Sequence, residues 1–234
     1  MSDAGEGTVP TPAATVILLR DSEAGLETLM LHRNTKLAFA GGAWVFPGGK
    51  VEPEDFDPQR PDAEDPESMQ AAARNAAVRE AQEEADLAVD VEELVPFAHW
   101  LPPAIAPKRF ATWFFLAPTP AGAVTVDGSE IHDHAWMRPE TALQRRDALE
   151  VELIPPTWVT LHWLSQFATM TDAVTAARAA EIEFFETHFT PCEGGVISMW
   201  AHDAGYETND PDIPGARHRL WMLDSGWRYE RSPG

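Results

Sequence analysis

The sequence predicts an α/β sandwich up to about residue 148, followed by a mainly helical extension over 149–234. Three observations carry this reading. Residues 13–19 (AATVILL) are an unbroken β-branched and apolar run of strand length. Residues 67–85 (ESMQAAARNAAVREAQEEA) are alanine-rich and contain neither Gly nor Pro. From about 156 to 185 apolar residues recur three and four apart, the spacing of amphipathic helices. A chain of 234 residues is long enough for one sizeable core plus an added subdomain.

The elements follow in order. Residues 1–11 are small and polar and read as a flexible tail, with neither the basic start nor the apolar core of a signal peptide. After the first strand and a turn-like 21–25, residues 27–31 (ETLML) supply a hairpin partner. Trp44-Val45-Phe46 form a short strand ended by Pro47-Gly48-Gly49. The Pro-, Asp- and Glu-rich stretch 52–66 is an exposed loop insertion. Asp65 caps the long helix and Pro66 takes its first position. Strands return at 96–101, 110–116 and 135–137, and Pro139-Glu140 opens a short helix. In the extension, TWVTLHWLSQFATM and DAVTAARAAEIEFF read as helices. Strand-like pairs resume from Gly195, ending with 219–223 against 227–229 across Asp224-Ser225-Gly226.

Charge narrows the partners. The formal net charge of −21 disfavours nucleic-acid backbones and anionic membranes. The longest apolar stretch, near 110–117, is far short of the roughly 20 residues that a spanning helix needs. A small phosphorylated substrate is compatible only if local cations overcome the field. The single cysteine, Cys192, precludes an internal disulfide and fits a reducing cytoplasm; with no basic partner nearby in sequence it reads as an ordinary thiol.

Glu80, Glu83 and Glu84 lie three and four apart and share one helical face. Like charges so placed cost a few tenths of a kcal/mol per pair, and a hard divalent cation such as Mg²⁺ is their natural compensator. Arg79, four residues before Glu83, is placed to pair with a carboxylate and orient it. An acidic cluster alone is most often a solvated face. Here Pro47-Gly48-Gly49 precedes it, and glycines let backbone approach a ligand closely.

These residues together resemble the Nudix box, a Gly, five residues, Glu, seven residues, then Arg-Glu-x-x-Glu-Glu-x-Gly. Gly49 matches the first Gly, and Arg79-Glu80-Ala81-Gln82-Glu83-Glu84 matches the core. Asp55 falls where the first Glu belongs, Asp86 where the closing Gly belongs, and the loop before the helix is longer than the family pattern. The stretches 13–20 (AATVILLR), 44–49 (WVFPGG) and 108–115 (KRFATWFF) resemble the branch of peroxisomal coenzyme A diphosphatases and their bacterial relatives. So, less specifically, does the ending around Arg217-His218-Arg219 and Trp227-Arg228-Tyr229.

The resemblance implies a Nudix-type α/β/α sandwich with a mixed sheet over 12–148. It implies hydrolysis of a nucleoside diphosphate joined to another moiety, with coenzyme A or acyl-coenzyme A first and ADP-ribose or NADH next. The Gly48 carbonyl, Glu80, Glu83 and Glu84 would hold Mg²⁺ or Mn²⁺. Either Glu80 or Glu130 is the base; Glu130 reads equally as an exposed loop acid. Lys108, Arg109 and Gly49 are candidate substrate-binding residues, with Arg138 a further phosphate-holding cation. His132 and His134 alternate like same-facing strand residues but lack further zinc ligands nearby. Trp44, Trp100 and Trp113 serve either base stacking or, more commonly for strand aromatics, the core. The apolar extension packs on the sandwich, shapes a pocket or forms a homodimer interface. Two rival readings are a non-catalytic nucleotide-binding Nudix sensor and an interaction protein whose acidic helix faces solvent.

Overall fold

The computed structural model describes residues 9–36, 40–60 and 62–232. Residues 1–8 of the expected tail lie outside the described residues, and residue 11 already belongs to a strand. Two compact units emerge: the described residues of 12–99 and 112–183 form the larger, and 9–11, 100–111 and 184–232 the smaller.

In the larger unit β1 (Thr11–Ser22) and β2 (Gly25–Arg33) form an antiparallel hairpin, with Leu19 opposite Thr28 and Ser22 opposite Gly25. Val16, Ile17, Leu18 and Leu19 are all fully buried. Cover on both faces is why this strand reads as a continuous apolar run without alternation. β3 (Trp44–Val45) pairs with β2. Pro47-Gly48-Gly49 does not end the strand region as its composition predicts. Pro47 separates two short strands, and β4 (Gly48–Lys50) resumes pairing on β1, with Thr15 opposite Gly48 and Ala14 opposite Gly49.

The insertion is exposed over most of its length but not throughout. Pro53–Asp55 forms a 3-10 turn, and the Asp55 side chain is buried. Helix α1 (Pro66–Ala85) starts as its sequence dictates, with the Asp65 side chain accepting from the Ser68 N–H at 2.9 Å and Pro66 at the first position. It ends on Asp86, in the left-handed region at φ 55°, whose N–H donates to the Gln82 carbonyl at 3.1 Å. Ala73, Ala76, Ala77, Ala81 and Ala85 share a buried cluster with Val16, Leu18, Leu29, Leu31 and Phe115. Small side chains let the helix backbone lie close to the sheet, which brings its acidic face to β4.

β5 (Val95–Leu101), β6 (Phe110–Pro118) and β7 (Ile131–Met137) complete the larger unit's sheet. The strand order is β3-β2-β1-β6-β5, with β4 also paired to β1 and β7 to β2. Helices α2 (Pro139–Asp147), α3 (Pro155–Leu164) and α4 (Met170–Ala179) follow, α2 packing on α3 and β2. Both of the latter were placed in the extension by sequence; they cluster with the sheet's unit. The second predicted helix stops early. Residues 183–186 form β8 (Glu183–Glu186), where Phe185 is buried and Phe184 is 59% exposed, a period of two that overrides helical spacing.

The smaller unit contains a four-stranded antiparallel sheet of β9 (His188–Cys192), β10 (Gly195–Met199), β11 (His218–Leu223) and β12 (Gly226–Arg231), ordered β12-β11-β10-β9. The last hairpin closes as predicted, with Leu223 opposite Gly226. Trp200 packs against Trp100 and Phe185, and Arg219 forms a fully buried ion pair with Asp203 at 2.6 Å. The fold is α/β, with strands in a mixed sheet and helices packed on it. Among the described residues no helix is long and apolar enough to cross a membrane.

Candidate active site

The site is built where α1 meets β4. Glu84 is 6% exposed, and its Oε2 accepts from the Gly48 N–H at 2.9 Å. A Cβ on Gly48 would lie 2.1 Å from Thr15 Oγ1, and one on Gly49 would lie 2.2 Å from Glu80 Oε1. Gly48 is therefore required for space, since a Cβ would also meet the β1 backbone, whereas a Cβ on Gly49 would displace the Glu80 carboxylate lying against it.

Arg79 organises the rest. Its Nε and Nη2 donate to the two oxygens of Asp55 at 3.0 Å each, and Nη2 also donates to the Lys50 carbonyl at 2.9 Å. Its Nη1 donates to Glu80 at 2.9 Å and to Glu83 at 3.3 Å. Asp55 is further held by the Glu52 N–H at 2.8 Å. Hydrogen bonding to Asp55, then to Glu80, secures the positive charge of Arg79 against the cost of burial.

Acidic charge accumulates here. Burial pushes the Glu84 carboxyl up to about 8; the Gly48 N–H opposes this, while Glu80 and Glu130 reinforce it. Glu80 is also raised, first by burial, with Arg79 opposing and Glu83 and Glu130 adding to the shift. Glu130 thus shares the field of the helix carboxylates. Its backbone is fixed: the Glu130 N–H donates to Asp127 at 2.9 Å, and its carbonyl accepts from the Asn34 N–H at 2.8 Å. The Asp127 carboxylate also accepts from the N–H groups of Ser129 and Ile131.

The carboxylates of the expected ligand set are bonded to other groups of the chain. Among the described residues no three His, Cys, Asp or Glu side chains stand together so as to hold a metal ion. The reason is visible in the bonding: Arg79 holds Glu80 and Glu83, while Glu84 is turned to Gly48. The donor chemistry nevertheless fits a hard divalent cation. Buried Glu84 and half-buried Glu80 are both driven towards the neutral form by burial and by acidic neighbours, and all the available donors are oxygens.

The NUDIX domain family matches residues 9–156, more than half of the chain and all of the elements just described around α1 and β4. The chain belongs to the Nudix family. Its structure is similar to that of a NUDIX hydrolase from Alicyclobacillus acidocaldarius, with a TM-score of 0.63 at 22% identity, covering 72% of this chain and 96% of that one. A MutT NUDIX hydrolase from Burkholderia pseudomallei gives a TM-score of 0.48 at 20% identity, covering 66% and 97%. The NUDIX domain of Shewanella oneidensis NrtR, solved with ADP-ribose, gives 0.45 at 15%, covering 69% and 90%. At 22% identity the likeness to the Alicyclobacillus acidocaldarius protein is one of fold. Among curated proteins no match is found. The protein is a Nudix hydrolase, and hydrolases of this family generally use divalent metal ions.

The Nudix box is thus legible in three dimensions despite its irregular spacing. Asp55 makes the bidentate pair with Arg79 from the position of the box's first Glu, and the long insertion loops out before α1. Asp86 adopts the left-handed conformation expected of the closing Gly, helped by a 2.7 Å bond from Gln82 Nε2.

The other predicted residues are less united. Lys108 is exposed and Arg109 half-buried, its Nε donating to the Pro102 carbonyl at 3.0 Å; both belong to the smaller unit. On β7 the register puts Met137 opposite Thr28 and Ile131 opposite Arg33, so Arg138 and Glu130 stand at opposite ends of the strand. His132 and His134 lie on β7 and, among the described residues, belong to no group that could hold a metal ion. Trp44 stacks on His32, and Trp113 packs on His99 and Phe115. Sequence reasoning missed Arg33, whose Nη2 lies 3.4 Å from Glu130 Oε2. The signal was the hairpin itself, which ends β2 at Arg33 beside the loop carrying Glu130.

Proposed function

We propose that this Nudix hydrolase cleaves the diphosphate bond of a nucleoside diphosphate linked to another moiety, with coenzyme A or acyl-coenzyme A as first candidate. ADP-ribose- and NADH-like conjugates come next. The observation that carries the reaction class is the packing of Glu84 and Glu80 against Gly48 and Gly49, with Arg79 locked onto Asp55 beside them. The coenzyme A choice rests on the sequence resemblance in 44–49 and 108–115. On its single cysteine we also place the protein in a reducing cytoplasm.

Glu80, Glu83, Glu84 and the Gly48 carbonyl would hold Mg²⁺ or Mn²⁺. When bound, such an ion neutralises diphosphate oxygens and lowers the pKa of a water ligand. Gly49 leaves room for the Glu80 carboxylate, and Arg79 orients Glu80 and Glu83. We take Glu130 as the base, since its backbone is fixed, its side chain is exposed and its contact with Arg33 is long at 3.4 Å, whereas Arg79 holds Glu80 at 2.9 Å. A water oxygen bonds to one phosphorus, the bridging P–O bond breaks, and Glu130 accepts the water's proton. Each product keeps one phosphorus of the cleaved linkage as a phosphate monoester.

The test is a screen of such conjugates with Mg²⁺ or Mn²⁺, products identified by mass. Release of 4′-phosphopantetheine and adenosine 3′,5′-bisphosphate from coenzyme A supports the first candidate. Inertness towards coenzyme A with turnover of another conjugate reassigns the substrate. No turnover of any conjugate leaves a nucleotide-binding sensor.

A further inference from the structure

A chain of net charge −21 that handles a diphosphate needs a cation at the reacting centre, and Arg79 is already saturated by Asp55, Lys50, Glu80 and Glu83. Arg33 is differently placed. It ends β2 at an irregularity in the pairing with β7, opposite Ile131. Its backbone is clamped by bonds with Ala43 and Gly42, each 3.1 Å. The side chain is 17% exposed, and its Nε is buried without a hydrogen-bond partner among the described residues. Its Nη2 contact with Glu130, at 3.4 Å, is long for a charge-assisted bond. Its positive charge also acts on Glu84.

A buried guanidinium N–H with no acceptor is unfavourable and rare, and calls for a partner. Glu130 does not fill that need, being 59% exposed and well solvated. A planar guanidinium fork is matched to phosphate oxygens. We propose that Arg33 is a substrate-positioning residue whose guanidinium holds non-bridging oxygens of the diphosphate beside Glu84 and Glu130. This deepens the diphosphatase reading and rests on it. No bond is made or broken at Arg33: it donates N–H groups to oxygens whose charge changes as the bridging P–O bond breaks.

The test uses imidodiphosphate, whose P–N–P link resists hydrolysis, titrated calorimetrically in Mn²⁺ into the full-length protein and its Arg33→Gln and Arg33→Gln/Glu130→Gln variants. Loss of a charge-assisted donor predicts binding about 10- to 100-fold weaker for Arg33→Gln. Removing Glu130 as well should not restore it. Arg33→Lys, which keeps the charge but not the fork, should also bind more weakly and serves if the Gln variant does not fold. Equal affinity in Arg33→Gln, or full recovery in the double variant, would overturn the assignment, the latter by showing that Arg33 only neutralises Glu130. If the wild type hydrolyses no diphosphate conjugate, the diphosphatase reading fails, and the imidodiphosphate comparison still judges Arg33.

Discussion

Arg79 grips both carboxylate oxygens of Asp55, a residue 24 positions earlier, through Nε and Nη2 at 3.0 Å each. This pair fastens the insertion to α1 and points the remaining guanidinium nitrogen at Glu80 and Glu83. Asp55→Asn retains the shape but loses the charge, and should lower stability by about 1.5–3 kcal/mol, the range for hydrogen bonds to charged groups. Urea unfolding checks this. Turnover should fall further than stability explains, because Arg79 would no longer orient the carboxylates.

Gly49 has no room for a methyl group. Gly49→Ala would place Cβ 2.2 Å from Glu80 Oε1 and must displace that carboxylate. Because the clash falls on the movable end of a side chain, the expected loss of stability is small. Mn²⁺ affinity by calorimetry should weaken with it. Unchanged Mn²⁺ affinity would remove Glu80 from the ligand set.

Glu84 makes metal-free stability depend on pH. The folded protein keeps its proton up to about 8, whereas the unfolded chain releases it in the ordinary carboxylate range. Between those values the folded state binds more protons, so stability falls as pH rises through the window. Urea midpoints measured in EDTA should therefore decline from about pH 5 to about pH 8. Glu84→Gln should flatten that slope, and divalent metal should oppose the decline at the alkaline end.

The smaller unit responds oppositely. Burial alone would raise the Asp203 carboxyl, but Arg219 and the N–H groups of His218 and Gly205 hold it down at about 2. Its contribution is present above the unfolded carboxylate range and is lost as pH falls towards about 2. Asp203→Asn leaves Arg219 buried and poorly paired, and should cost about 3–5 kcal/mol. Near-UV circular dichroism, sensitive to Trp200 in this unit, would report the loss.

How much of this was legible in the sequence varies with the physics involved. The α1 boundaries were readable because Asp65, Pro66 and Asp86 act locally. The acidic face followed from helical periodicity alone. Asp55 was legible as the stand-in for the box's first Glu, but its pairing with Arg79, 24 residues away, was not, because proximity of that kind leaves no local pattern. Gly48-Gly49 looked like a strand terminator because glycine disfavours strands, yet their small size is what lets β4 pair with β1 beneath Glu80. The β2–β7 register, which sets Arg33 rather than Arg138 beside Glu130, joins residues far apart in sequence and leaves no local pattern. Residues 183–186 were read as helix because neighbouring alanines extended the helical spacing past α4.

The central claim is that the α1 carboxylates support a divalent ion that makes diphosphate hydrolysis possible. Its most direct test is the steady-state rate on the best conjugate from the screen, with Mg²⁺ or with EDTA, for the wild type and Glu84→Gln. The account predicts no measurable turnover in EDTA and a drop of roughly 10²–10³-fold for Glu84→Gln, the scale of losing one preorganised electrostatic group. Turnover that survives EDTA, or that is equal in the wild type and Glu84→Gln, would contradict it.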